Sequence, residues 1–326
     1  MARYWWVFLV LGLVLVLLLP TPRKPPAPAA TAPTTAPDLA SEPLAAPEAS
    51  RAAAFERARR GFRTAAAVPE DSPSPPATPP VHLFQRSDYE NPQGYTLTGY
   101  VSADPADGRR HPAILWLKDG DSNSLGEFWE SGQTSASAFR EAGVVMAFIA
   151  LRGGNGQRGR HEYFLGEVDD VLAAARHYAG IRYIDPARIY LGGHGSGGTL
   201  ALLVAAAGGP FAGVFAFGPV ASADRYPRDR VPVDFASLDP LELRLRSPIH
   251  WLADIGVPTW IIEGVDAPSK ISDLIELCEA TSNPRIVCLR VPGANHASVI
   301  RPATRAIAAR IMQGGAIELR AAELSP

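Results

Sequence analysis

The chain has 326 residues, 47% of them hydrophobic and 20% charged, and carries a net charge of −2. That balance supports a sizeable globular core and, with no basic stripe or aromatic-basic interleaving, excludes nucleic acid as the expected partner. The two cysteines, Cys278 and Cys288, lie in no CxxC or His/Cys motif, so the sequence offers no structural metal motif and no cofactor motif. They are read as buried thiols, with pairing as the alternative in an exported protein.

Residues 1–20 read as a signal-anchor or signal peptide. The apolar run from Tyr4 to Leu19 is preceded by Arg3 and followed by Arg23 and Lys24, and Trp5 and Trp6 suit a membrane interface. The run is a little short for a span of about 20 residues and a little long for the apolar core of a cleaved signal. Attachment to a membrane through this segment is expected, with the rest of the chain on the periplasmic or extracytoplasmic side. Residues 21–80 hold most of the excess among the 31 prolines. Such a Pro/Ala-rich stretch buries too little apolar surface to offset its ordering entropy and predicts a disordered linker. Inside it, Glu48 to Ala67 is rich in Ala, Arg and Glu and predicts a helix.

From 81 to 326 the pattern is that of a folded α/β domain. Tyr95 to Ser102 alternates as an antiparallel strand would. Ala113 to Leu117 and Val144 to Ala150 are wholly apolar runs. Glu167 to Tyr178 has helical periodicity. Ile189 to Leu191 is a strand entering a glycine cluster, and Thr199 to Ala207 reads as a buried helix. Val214 to Phe217, Thr259 to Ile262 and Ile286 to Val291 are further strands, and Val299 to Met312 closes with an amphipathic helix. Apolar strands alternating with helices predict a mostly parallel sheet covered by helices on both faces. Ala221 to Arg246, polar and rich in arginine, is placed to form a short cap insertion.

The informative segment is Leu191-Gly-Gly-His-Gly-Ser-Gly-Gly198, where a strand ends, turns sharply and starts a helix. This is the context of a nucleophile elbow, whose positions two before and two after the apex must be small. Centred on Gly195, those positions are Gly193 and Gly197. Centred on Ser196, the first would be His194, too large for the turn. The spacing therefore puts glycine, which has no hydroxyl, at the apex. Ser196 falls one residue on, about 3.8 Å away in Cα spacing, where a first-turn helix serine is also expected.

The glycine-rich segment resembles the elbow of α/β-hydrolases related to the prolyl oligopeptidase (S9-type) serine peptidases. Leu151-Arg-Gly-Gly154, Glu167-Val-Asp-Asp-Val171, Ser247-Pro-Ile-His250 and Gly293-Ala-Asn-His296 resemble other signatures of that family, and the likeness runs from about His111 to Met312. The resemblance implies an α/β-hydrolase fold and a triad in the order nucleophile, acid, histidine. His296 is then the general base. Asp266 is the first choice of acid, with Glu263 and Asp273 as rivals. Ser196 is the candidate displaced nucleophile. Where relatives tend to have a His-Gly-Gly oxyanion loop, this chain has Lys118-Asp119-Gly120-Asp121, which puts the charge of Asp119 where an oxyanion would develop. The family implies a serine hydrolase or peptidase acting without a cofactor; the glycine apex implies impaired catalysis, with a small-molecule or peptide ligand in the pocket. Ser196 working with His296 as an active pair is the alternative.

Overall fold

The computed structural model describes residues 54–68, 75–129, 135–228, 231 and 233–326. The N-terminal targeting segment at 1–20 and most of the proposed linker lie outside the described residues. Among the described residues no helix is long and apolar enough to cross a membrane.

The sheet is laid down by the short apolar runs. Strands β1 (Phe84–Arg86), β4 (Gly99–Ser102), β5 (His111–Leu117), β6 (Val145–Ile149), β7 (Ile184–His194), β8 (Gly213–Phe217), β9 (Thr259–Asp266) and β10 (Ile286–Asn295) form one eight-stranded sheet in the order β1-β4-β6-β5-β7-β8-β9-β10. β1–β4 and β4–β6 pair antiparallel, and every pair from β6 to β10 is parallel. β2 (Tyr89–Glu90) and β3 (Thr96–Leu97) form a small separate ribbon. The run expected from Tyr95 to Ser102 is thus divided between β3 and β4.

Because side chains alternate across a strand, the central strands feed two cores. Leu115, Leu117, Leu191, Ala216 and Ile261 face α3 (Glu167–Ala179), α4 (Ser196–Ala207) and α6 (Ile271–Glu279). Ile114, Trp116, Tyr190, Phe217 and Ile262 face α2 (Ala138–Glu141) and α7 (Ile300–Gln313). α4 is apolar all round because it is enclosed between the sheet, α3 and the cap. The expected cap is present: two 3₁₀ turns, Ala223–Arg225 and Phe235–Ser237, lead into α5 (Pro240–Arg246), whose N-terminus is capped by Asp239 accepting from the Leu241 N–H.

Two expectations are corrected. The linker was to run to residue 80, but Ala54 to Val68 packs on the domain. Helix α1 (Ala54–Arg59) buries Phe55 completely, with its ring 5.0 Å from that of Trp251. Arg59 pairs with Asp169 at 2.8 Å, Ala65 N–H donates to Glu242, and Val68 bridges His161. One aromatic and one arginine amid alanines are enough to dock this stretch, which bulk composition conceals. The cysteines are not thiols: Cys278 on α6 and Cys288 on β10 form a disulfide, because the helix that follows β9 folds back beside the adjacent strand.

Candidate active site

The elbow is built as its glycines require. Gly195 ends the β7–α4 turn at φ 54°, ψ −114°, a combination that costs any side-chain-bearing residue strain and glycine little. A Cβ on Gly193 would strike the Gly197 carbonyl, and one on Gly197 would strike that of Leu117. The apex is therefore Gly195, with Ser196 opening α4.

What fills the vacated space is Asp119, from the loop after β5. A Cβ on Gly195 would collide with Asp119 Oδ1. That oxygen accepts the Ser196 backbone N–H at 3.0 Å. In this fold the amide following the nucleophile is an oxyanion donor, so a fixed carboxylate sits where a transient oxyanion would be stabilised. Burial opposes ionisation of Asp119, but the Ser196 N–H and the nearby His194 and His296 hold it below the usual carboxylate value. The Ser196 hydroxyl is turned to the same loop. It donates to the Gly120 carbonyl at 2.6 Å and accepts the Gly120 N–H at 3.0 Å. Among the described residues no hydrogen bond joins it to His296.

His296 stands in the loop after β10, as expected. Its Nδ1 is 3.0 Å from Glu263 Oε2. Against a carboxylate acceptor Nδ1 donates, leaving the Nε2 lone pair available. The acid is thus Glu263, fully buried on β9, and not Asp266. Asp266 lies exposed at the end of the same strand, opposite Asn295. Asp273 is engaged elsewhere, accepting from Ala221 N–H and Arg225. The reason is strand length: β9 continues past Ile262, so Glu263 is still inside the sheet where the histidine loop crosses it. Gly218 packs against the pair so closely that a Cβ would meet both His296 and Glu263.

His194, the residue before the apex, is the participant the sequence reading did not assign. Its Nε2 donates to the His296 carbonyl at 3.0 Å, and the two rings lie 4.3 Å apart. Burial, then the neighbouring His296 charge, depress its pKa to about 4, so it is a neutral imidazole at physiological pH. Its place beside the apex was the available signal.

These groups open on a cavity of about 450 Å³ bordered by Asp119, Ser196, His296, Glu167, Tyr226 and Lys270. Tyr226 comes from the cap and is tied to α4 through Thr199 at 2.7 Å. The opposite wall is fixed by Arg152 of the Arg-Gly-Gly turn, which grips Asp170 with two guanidinium bonds at 2.9 and 3.0 Å. Glu167 is buried at this wall, with Oε1 accepting from Asn123 and Glu162 N–H, while Oε2 has no hydrogen-bond partner among the described residues.

Comparison with known proteins agrees with this fold. A sequence profile described as the prolyl oligopeptidase family matches residues 129–236. The chain is an α/β-hydrolase-fold protein resembling that family. The Porphyromonas gingivalis dipeptidyl peptidase 4 structure is 22% identical at TM-score 0.51, over 65% of this chain and 32% of that one. A puromycin hydrolase is 18% identical at TM-score 0.56, over 71% of this chain and 39% of its own. The Pyrococcus furiosus esterase is 16% identical at TM-score 0.57, over 78% of this chain and 97% of its own. This hydrolase-fold chain spans only 32% and 39% of the length of the first two of these structures. No curated protein matches the sequence.

Proposed function

We propose that this prolyl oligopeptidase-like domain is a serine-hydrolase relative that has given up serine catalysis and uses its capped pocket to bind a peptide or small molecule at the cell envelope. The observation that carries the reading is the exchange at the elbow: glycine at the apex, with the Asp119 carboxylate occupying both the nucleophile's space and the Ser196 oxyanion donor. Loss of the nucleophile from a serine triad typically costs on the order of 10⁶ in turnover. The His296–Glu263 pair remains, but it faces no activated hydroxyl, and Ser196 is committed to Gly120.

The envelope location is supported by the apolar Tyr4–Leu19 run and by the disulfide, a bond that persists mainly in oxidising compartments. Fractionation tests it. The full chain is expected with membranes, and a chain lacking residues 1–20 in the soluble fraction; a soluble full chain overturns the anchor.

The catalytic reading is tested by a fluorophosphonate probe on wild type and Ser196→Ala. Neither is expected to be labelled. Labelling of wild type that disappears in Ser196→Ala would establish Ser196 as a working nucleophile and overturn the proposal.

A further inference from the structure

Asp119, His194 and His296 reach one point from three separate segments: the loop after β5, the last residue of β7 and the loop after β10. One ligand-capable atom from each lies within 4.8 Å of the other two. Each group is also held from behind. His296 Nδ1 is bonded to Glu263, His194 Nε2 to the His296 carbonyl, and Asp119 Oδ1 to the Ser196 N–H, all at 3.0 Å. Among the described residues each ring therefore keeps one nitrogen with no hydrogen bond, the other being tied to a carboxylate or carbonyl. That is the outer-shell arrangement that fixes histidine ligands of metal ions.

We propose that Asp119, His194 and His296 bind a divalent transition-metal ion of the zinc class, at the place where the nucleophile side chain of a serine hydrolase would stand. The donor set of two imidazoles and one carboxylate suits zinc-like ions over magnesium or calcium, which prefer all-oxygen shells. Three protein ligands leave a coordination position open, and Asp119 and His296 both border the cavity that would face it. Tetrahedral zinc with ligands near 2.0–2.2 Å sets donor atoms about 3.3–3.6 Å apart, so binding draws in those of the three atoms that stand farther apart than this within their 4.8 Å spread. Gly195 is part of the site, because a Cβ there would displace Asp119. The inference rests on the reading that the apex carries no serine, and it gives the two departures from the family pattern a single purpose.

The test uses the full chain, stripped with chelator. Calorimetric titration with Zn²⁺ is expected to show a single tight site and a higher Tm, since an ion that binds only the folded state stabilises it. Asp119→Asn, which keeps an acceptor for the Ser196 N–H, and His194→Gln should each weaken Zn²⁺ binding at least about 10-fold, and Glu263→Gln by about 10–100-fold. His250→Gln, exposed and outside both the cluster and the cavity lining, should bind as wild type does. Co²⁺ should give the intense visible bands of a low-coordinate site. Absence of Zn²⁺ binding to folded wild type overturns the proposal, as does binding unchanged in both Asp119→Asn and His194→Gln. Fluorophosphonate labelling of the metal-free chain is run in parallel. Labelling there would overturn the loss of serine catalysis, whereas failure of Zn²⁺ to bind an unlabelled chain would overturn only the metal site.

Discussion

Asp119 and Gly195 act as one change, which sets what restoration of an elbow serine requires. Gly195→Ser alone introduces a Cβ into the Asp119 carboxylate and leaves that carboxylate on the Ser196 amide. Its expected labelling by a fluorophosphonate is no better than wild type. Gly195→Ser combined with Asp119→Gly clears the space and frees the donor. A single oxyanion donor is worth about 10²–10³ in rate, so the double variant should label at least about 100-fold faster than either single one. Equal labelling of Gly195→Ser and the double variant would show that Asp119 does not block the turn. Glu167 is the second residue whose state can be read out. Burial raises its pKa, partly offset by the Arg152 charge. A carboxylate with a raised folded pKa contributes its stability below the unfolded value and loses it as pH rises through the folded one. Glu167→Gln removes the ionisation, so the Tm of the variant relative to wild type should rise as pH is raised above about 4, the unfolded value. A difference that does not change with pH would mean that Glu167 does not titrate anomalously. The apex was legible in the sequence because glycine spacing reports a steric requirement directly. The acid was not, because Glu263 and Asp266 differ only in where β9 ends, and that is decided by pairing with β10.

At the scale of elements, the short runs were legible because strands covered on both faces are apolar at nearly every position, as β5, β6 and β8 are, and α3 and α7 because burial repeats every third or fourth residue. The α1 segment was legible as a helix but not as part of the domain. Its docking depends on single residues, Phe55 against Trp251 and Arg59 against Asp169, and a composition average over the surrounding alanines and prolines dilutes them. The energetic weight of this contact can be measured. Phe55 is fully buried, and truncation of a buried phenylalanine to alanine costs about 3–5 kcal/mol. Phe55→Ala should therefore lower the urea midpoint of the whole domain in one transition, and a chain that starts at Val81 should be destabilised at least as much. A midpoint within error of wild type would mean that Ala54–Val68 is an accessory strap, and that the boundary near residue 81 is the energetic one.

Across the whole molecule, the disulfide links the compartment of the protein to its stability. Cys278 and Cys288 are separated by 10 positions and join α6 to β10, the edge strand whose continuation carries His296. Closing a loop of this size restricts the unfolded chain by an amount worth about 2–3 kcal/mol in the chain-entropy account. The same bond forms only where the surroundings are oxidising. A chain lacking residues 1–20, and so retained in a reducing interior, should carry free thiols, unfold at lower urea and recover its midpoint on air oxidation. The full chain, if the proposed envelope location holds, should resist alkylation until reductant is added, and reductant should lower its midpoint by the same amount. Alkylation of both half-buried cysteines in the unreduced protein would show the pair to be free thiols. It would also remove the structural support for an extracytoplasmic location, leaving that assignment to the Tyr4–Leu19 run alone.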